Sequence, residues 1–245
     1  MGSLEARTIS KNFGGVQALK EVSLDLPETA VLGLIGPNGS GKSTLLNIIA
    51  GLERPTSGTV KLDGKRIDRL RANTVVQHGV AKTHQIPKPF SNMTAIENVA
   101  VAVLYGRRNI HSPRKALEEA MRILSIVRME SMNDAPAGNL TVQEKKRLEL
   151  ARAIATGASV LLLDEAFAGL SPEELNDSIQ LFRKLHDELQ FSALVVEHVM
   201  RAVLNLSERV MVLEEGRVIA TGSPDEVVHE ETVISAYLGS KNHVS

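Results

Sequence analysis

The chain has 245 residues, of which 43% are hydrophobic, 23% are charged and 3% are aromatic, and this composition predicts a globular protein with an aliphatic core. A formal net charge of −1 gives no overall field that would attract nucleic acid or an anionic bilayer. Without cysteine there are no disulfides, thiol catalysts or cysteine-ligated zinc sites, and the longest apolar run, around "ASVLLLD", is far too short to span a bilayer. Because the start also lacks a signal peptide pattern, we expect a cytoplasmic protein.

The N-terminal third predicts strands around one Gly-rich loop. Alternating apolar residues in "VSLDL" and turn residues in "NFGG" indicate short antiparallel strands. The run "AVLGLIG" is typical of a central strand buried on both faces, and "LLNIIAGL" behind it has helical spacing. Residues 58–80 return to strand and turn character, with "SGTVKLDG" as one arm of a hairpin.

The middle of the chain predicts helices, beginning at about Pro87. Ser112 followed by Pro113 is a helix start with proline in the first turn. Thr141 and Glu144 form a capping box at the start of another helix.

Strands and helices alternate again in the C-terminal third. "SVLLLDE" is a strand, a capping box of Ser171 and Glu174 opens a helix to about Leu189, and "SALVVEH" is a further strand. "RVMVLEEGRVIATG" predicts a hairpin, and "SPDEVV" begins a helical end region. This order predicts a single α/β domain with an inserted helical stretch.

The strongest functional signal is "GPNGSGKST", which fits the pattern G-x-x-x-x-G-K-S/T between a strand and a helix. Its glycines allow backbone N–H groups to surround phosphates at a helix N-terminus. Lys42 would neutralise β and γ phosphate oxygens, and Ser43 would ligate Mg²⁺. We expect the whole loop to bind nucleotide: Gly36, Pro37, Asn38, Gly39, Ser40, Gly41, Lys42, Ser43 and Thr44. The alternative is a Gly-rich turn before a capped helix.

A carboxylate pair follows the apolar strand of "VLLLDE". Asp164 is expected to hold Mg²⁺ through water, and Glu165 to act as the general base or to orient the attacking water. Adjacent strand residues point to opposite sides, which would allow the two carboxylates separate roles. By itself such a pair is more often a solvated strand end, but the phosphate loop favours the functional interpretation.

Together, "GPNGSGKSTLLNIIAGLERPTSGTV", "VLLLDEAFAGLSPEE" and "ALVVEH" resemble the Walker A, Walker B and switch-histidine segments of ATP-binding cassette (ABC) ATPases, in the right order over nearly the whole chain. The resemblance implies a P-loop NTPase (RecA-like) core with an antiparallel β subdomain and an inserted α-helical subdomain. It places the core at residues 1–85 and 157–245 and the helical subdomain at 86–156 of a single domain, 1–245. It also implies ATP and Mg²⁺ as cofactors.

Further roles follow from the resemblance alone. Gln85 matches the glutamine that touches Mg²⁺ and links the core to the helical subdomain, and His198 matches the histidine that reaches the γ-phosphate. Phe13 stands where the family stacks an aromatic ring on adenine. Judged without the family, the three would be a loop amide, a core histidine and a packed aromatic residue.

The segment "LTVQEKKRLELARA" takes the place of the signature helix, usually LSGGQ. Thr141 keeps a hydroxyl that would contact nucleotide in a partner's site. Val142 and Gln143 replace both glycines, and Glu144 replaces glutamine, so the phosphate clamp is altered. The resemblance implies face-to-face pairs of ATPase subunits. A partner with a regular signature would then make one good site and one weak site, whereas a homodimer would turn ATP over slowly.

Within the family, "KNFGGVQALKEVSLDL", "FSNMTAIENVAVA" and "VISAYLG" resemble ATPase subunits of branched-chain amino acid importers. This implies transmembrane permease subunits, a second ATPase, an external solute-binding protein, and a peripheral position on the inner face of the membrane. Nucleic acid is not an expected partner. Another ABC importer or exporter, a non-transport ABC ATPase, and a P-loop kinase or GTPase are the alternatives.

Overall fold

Two sheets organise the chain in the computed structural model, which describes residues 2–108 and 110–238. The strands are β1 (Leu4–Phe13), β2 (Val16–Leu26), β3 (Val31–Ile35), β4 (Ser57–Leu62), β5 (Lys65–Arg66), β6 (Val80–Lys82), β7 (Val160–Asp164), β8 (Ser192–Val196), β9 (Arg209–Glu214) and β10 (Arg217–Gly222). The antiparallel sheet has the order β2-β1-β4-β5, and the larger sheet has the order β10-β9-β3-β8-β7-β6.

Helices fill the connections between the strands. They are α1 (Lys42–Ile49), α2 (Ala72–His78), α3 (Ala95–Tyr105), α4 (Pro113–Ile126), α5 (Val142–Ala155), α6 (Pro172–Leu189), α7 (Met200–Leu206), α8 (Pro224–Val228) and α9 (Glu231–Leu238), with short 3-10 turns at Glu130–Met132 and Ala137–Asn139. Within the described residues, none of these helices is long and apolar enough to cross a membrane.

The larger sheet is buried on both faces, which explains its continuous apolar strands. All five residues of β3, of β7 and of β8 are buried. One face packs in a cluster with α1 and the antiparallel sheet, and the other packs with α3, α5 and α6. The α/β fold predicted from the sequence is therefore confirmed.

Strand direction places the predicted functional residues at one edge of the larger sheet. Strands β9, β3, β8, β7 and β6 are parallel, and only β10 is antiparallel to its neighbour. The carboxyl ends of β3, β8, β7 and β6 consequently meet at the same edge, and such an edge is where open α/β sheets bind ligands.

Two sequence predictions were wrong. Within 58–80, the segment of α2 is helical rather than strand or turn. Gly79 ends this helix, since its φ of 115° is the left-handed conformation that favours glycine directly after a helix. Residues 86–94 form a loop rather than a helix. Pro87 and Pro89 disfavour helix there, and α3 starts only after the capping box of Thr94 and Glu97.

Other boundaries agree with the sequence. The capping boxes of α5 and α6 are both present, and β9 and β10 form the predicted hairpin. Ser112 precedes α4 as expected, although its side chain makes no capping hydrogen bond within the described residues. The division of the chain into a core and a helical subdomain at residues 86–156 stays a prediction.

Candidate nucleotide site

The phosphate loop connects β3 to α1 and depends on two glycines for its shape. A Cβ on Gly36 would lie 2.0 Å from the Leu213 carbonyl oxygen, and one on Gly41 would lie 2.6 Å from the Ala18 carbonyl oxygen. Both glycines also have positive φ, 148° and 104°. Only glycine fits at these positions, so the main chain can turn its N–H groups toward a ligand.

Lys42 begins α1 and crosses the loop that precedes it. Its Nζ donates hydrogen bonds of 2.8 Å to the carbonyl oxygens of Gly36 and Pro37. Burial lowers the pKa of Lys42, while the charges of Glu165 and Asp164 oppose that change. The ammonium therefore lies between the loop and the carboxylates at the ends of the strands.

Asp164 is the last residue of β7 and is 4% exposed. One carboxylate oxygen, Oδ2, pairs with Lys82 Nζ at 2.9 Å. The other, Oδ1, is buried and has no hydrogen-bond partner among the described residues. An unpaired buried carboxylate oxygen is costly unless a further ligand satisfies it.

That unpaired oxygen fits a bound Mg²⁺. Among the described residues, no group of three or more His, Asp or Glu side chains gathers to form a complete metal cage. Mg²⁺ usually takes one or two protein carboxylates and completes its shell with water and phosphate oxygens. Asp164, the hydroxyl of Ser43 and the amide of Gln85 are the groups available for such a shell.

Glu165 lies where three predicted residues meet. Gln85 Nε2 donates to Glu165 Oε2 at 2.7 Å, and His198 Nε2 lies 3.0 Å from the same oxygen. Glu165 has already left β7 and has a φ of 51°. Its separation from Asp164 thus comes from a left-handed turn and not from strand alternation, which corrects the reasoning used for the pair.

A cleft joins the loop to these side chains. Its lining residues are Ala18, Asn38, Gly39, Gly41, Lys42, Ser43, Thr44, Gln85 and Glu165. His198 reaches the cleft through Glu165. The structure therefore brings Lys42, Ser43, Gln85, Glu165 and His198 together at one edge of the sheet.

Phe13 and Thr141 are not among the described residues that line the cleft. Phe13 is at the end of β1, 46% exposed, with Lys11 Nζ 4.6 Å from its ring centroid. Its interpretation as a core aromatic is wrong, and adenine stacking stays a prediction. Thr141 caps α5, where its Oγ1 accepts from Glu144 N at 3.3 Å and Glu144 Oε2 accepts from Thr141 N at 2.7 Å.

Sequence reasoning missed four residues that the structure brings to this edge: Ala18, Lys82, Lys146 and Glu197. Ala18 lines the cleft, and Lys82 pairs with Asp164. Lys146 Nζ donates to the Glu165 carbonyl oxygen at 2.9 Å, and Glu197 Oε1 accepts from Phe167 N at 2.7 Å. Only Glu197 gave a signal, since it is a charged residue directly after an apolar strand.

A glycine-dependent loop between a buried strand and a helix, facing a carboxylate at the end of a nearby parallel strand, defines the fold class of P-loop nucleoside triphosphatases. Residues 19–168 match the ABC transporter family model, more than half of the chain. The chain therefore belongs to the ABC transporter family and is an ATP-hydrolysing cassette. Residues 217–242 match a second model, described as "Branched-chain amino acid ATP-binding cassette transporter".

Curated relatives align over almost the full length. The high-affinity branched-chain amino acid transport ATP-binding protein BraF of Pseudomonas aeruginosa is 35% identical, covering 96% of this chain and 97% of its own. The probable branched-chain amino acid transport ATP-binding protein LivG of Archaeoglobus fulgidus is 33% identical, covering 99% of this chain and 97% of its own.

Solved structures agree with the fold. A nucleotide-free ATP-binding cassette from an ABC transporter superposes with a TM-score of 0.86 at 28% identity, covering 97% of this chain and 99% of that one. The ATP-binding cassette MJ0796, in a dimeric post-hydrolysis state bound to ADP and Pi, superposes with a TM-score of 0.81 at 26% identity, covering 90% and 98%.

Proposed function

We propose that this chain is the ATPase subunit of an importer for branched-chain or related amino acids. The observation that carries the proposal is the near full-length similarity to BraF and LivG, together with the second family match over residues 217–242. The chain would act with transmembrane permease subunits on the inner face of the membrane and with an external solute-binding protein.

The site geometry supports specific roles in ATP hydrolysis. Lys42 would bind β and γ phosphate oxygens, and the N–H groups of Gly39, Gly41 and the first turn of α1 would surround them. When bound, Mg²⁺ would neutralise phosphate charge beside Asp164, Ser43 and Gln85. Phe13 would cover the adenine ring.

Glu165 is the group we propose for water activation. Its Oε2 already accepts from Gln85 and lies within hydrogen-bond distance of His198, so two neighbours hold the carboxylate in place. An attacking water donating to Glu165 would lose its proton there, and His198 would hold the γ-phosphate. Gln85 would sense both the metal and the carboxylate.

Glu165→Gln tests this assignment, because glutamine keeps the size of the side chain but accepts a proton poorly. We expect Mg·ATP affinity to change by less than about threefold while turnover falls about a hundredfold or more. Calorimetry gives the affinity, and phosphate release gives the turnover. Turnover equal to that of the unmodified chain would contradict the role.

Identification of the transported solute requires the assembled transporter. We expect proteoliposomes with the permeases, the second ATPase and the binding protein to take up labelled leucine in an ATP-dependent way, and Glu165→Gln to abolish uptake. Sulfate is the matched control solute, since a sulfate/thiosulfate import ATP-binding protein CysA of Bacillus cereus is 32% identical, covering 98% of this chain and 67% of its own. Sulfate uptake without leucine uptake would point to another importer.

The N-terminus of α5 supports a different ATPase as the second subunit. In a face-to-face pair, this end of α5 would approach the partner's γ-phosphate. The capping box already uses the Thr141 and Glu144 N–H groups, Val142 is 61% exposed, and Glu144 adds a negative charge. A site built on this end would bind phosphate weakly, so a heterodimer would have one strong and one weak site.

Restoring the glycines tests the asymmetry. We expect Val142→Gly with Gln143→Gly to raise ATP-dependent self-association and turnover of the isolated chain, measured by light scattering and phosphate release. The same double change combined with Glu165→Gln separates association from hydrolysis. If neither quantity increases in the glycine variant, the altered clamp is not what limits the isolated chain.

A further inference from the structure

The turn that carries Glu165 is held from two sides by residues that no role above includes. Glu165 adopts a left-handed φ of 51°, which is uncommon for a residue with a side chain. Its N–H donates to the Val196 carbonyl oxygen at 2.9 Å, which joins the start of the turn to β8. The position of the carboxylate therefore depends on what fixes the remaining part of the turn.

The first fixing contact comes from α5. Lys146 Nζ donates to the Glu165 carbonyl oxygen at 2.9 Å. A small cavity lies beside this contact, lined by Gln143 and Lys146 of α5 and by Ala166 and Phe167 of the turn, among others. Lys146 spans the space between the signature helix and the residue that we expect to activate water.

The second fixing contact comes from the segment directly after β8, which also carries His198. Glu197 is 0% exposed, and its Oε1 accepts from Phe167 N at 2.7 Å. Its Oε2 has no hydrogen-bond partner among the described residues. Burial raises the pKa of Glu197 to about 7, while the Phe167 N–H and the Lys146 charge act against that shift.

Lys146 and Glu197 also act on each other. Burial lowers the pKa of Lys146, and the charges of Glu197 first and Glu165 second oppose that shift. A half-buried ammonium and a buried carboxylate are costly unless they compensate one another. The charge of Lys146 in turn favours the ionised form of Glu197, so each residue lowers the cost of burying the other.

We propose that Lys146 and Glu197 are positioning residues that hold the turn 165–167 between α5 and β8, so that the place of α5 sets the place of the Glu165 carboxylate. The proposal rests on the role assigned to Glu165 and extends it. Neither residue touches the nucleotide cleft. Movement of α5 on assembly with a partner would be transmitted directly to the group that activates water.

The decisive comparison is between two neighbouring lysines. Lys146→Met removes the contact to Glu165, whereas Lys145→Met removes an equal charge and a 2.9 Å hydrogen bond to the Gly138 carbonyl oxygen. In the full chain we expect Lys146→Met to lower kcat about tenfold to a hundredfold, because small displacements of a catalytic group have effects of that size. The Mg·ATP dissociation constant should stay within about twofold, and Lys145→Met should change neither quantity.

Glu197→Gln supplies the second arm. Glutamine still accepts the Phe167 N–H but loses the attraction to Lys146, so kcat should fall less than in Lys146→Met. The double variant Lys146→Met with Glu197→Gln should fall by less than the product of the single effects, because both residues act on one turn. Lys146→Arg keeps a donor and should recover most of the turnover.

Amide exchange measured by mass spectrometry gives a readout that a loss of overall stability does not imitate. We expect faster exchange over residues 165–168 in Lys146→Met and not in Lys145→Met, at equal global stability. Equal kcat in the two lysine variants, or independent effects of Lys146 and Glu197, would overturn the proposal. If Glu165→Gln itself keeps full turnover, the assigned role of Glu165 fails instead, which separates the two outcomes.

Discussion

The two helix starts that the sequence associates with phosphate are built in opposite ways. Helix α1 begins after Gly41, and among the described residues no side chain caps it and its first turn holds no acidic residue. Helix α5 begins after Thr141, with a complete capping box and Glu144 in its first turn. The first-turn N–H groups of a helix have no partner within it, so α1 leaves them for a ligand. In α5 the Glu144 N–H donates to the Thr141 hydroxyl and the Thr141 N–H donates to the Glu144 carboxylate.

The contrast is between a helix end that is left open for an anion and one that its own side chains partly occupy. A capping box stabilises a helix by satisfying two N–H groups at its start, which is also the place where a phosphate would bind. We therefore expect α5 to form normally and to bind phosphate weakly. The following predictions test the contrast, beginning with the largest effect.

Removing the Lys42 ammonium at the start of α1 should have the largest effect. Lys42→Ala is expected to weaken Mg·ATP binding about a hundredfold, close to 3 kcal/mol, because charge-assisted hydrogen bonds to phosphate are lost. Titration calorimetry measures the change. Lys65→Ala, an exposed lysine on β5, is the control and should bind ATP normally. Equal affinities would mean that α1 does not bind the triphosphate.

Removing the side-chain cap at the start of α5 should reduce stability and leave the chain's own nucleotide affinity unchanged. Thr141→Ala is expected to cost about 1 kcal/mol of unfolding free energy, measured by denaturant titration. Thr94→Ala removes the equivalent capping threonine of α3 and should cost a similar amount. A loss of ATP affinity in Thr141→Ala alone would show that α5 contributes to the site of the same chain.

Neutralising Glu144 in the first turn of α5 should have the smallest effect on stability. Glu144→Gln keeps a capping box, so unfolding free energy should change by no more than about 0.5 kcal/mol, the scale of a charge at a helix terminus. ATP turnover at high protein concentration should rise, because the negative charge near the partner's phosphate is gone. Glu174→Gln makes the same change in the box of α6 and should leave turnover as it was.

The sequence predicted features whose cause is local. The capping boxes of α5 and α6 depend on residues three positions apart, and the phosphate loop depends on glycine positions within one segment. Glu165 was assigned from its place after an apolar strand, whereas Gln85 and His198 were assigned by resemblance. The structure places Gln85 Nε2 and His198 Nε2 within hydrogen-bond distance of Glu165 Oε2.

Features that depend on distant partners were not predictable. Lys146 lies among ordinary charged residues of a helix, and its partner is a main-chain oxygen that only the turn after β7 presents. Helix α2 was missed because no side-chain cap marks its start at Arg71, within the described residues. The pairing of Lys82 with Asp164 requires β6 to lie beside β7, which periodicity does not reveal.

The bonds of Lys42 to the carbonyl oxygens of Gly36 and Pro37 have a consequence for the end of each cycle. When phosphate leaves, the Lys42 ammonium can again donate hydrogen bonds to these two oxygens. Its charge is therefore not left buried without an acceptor. The loop thus lowers the free-energy cost of releasing the product. We expect it to favour rapid emptying of the cleft over retention of the spent nucleotide.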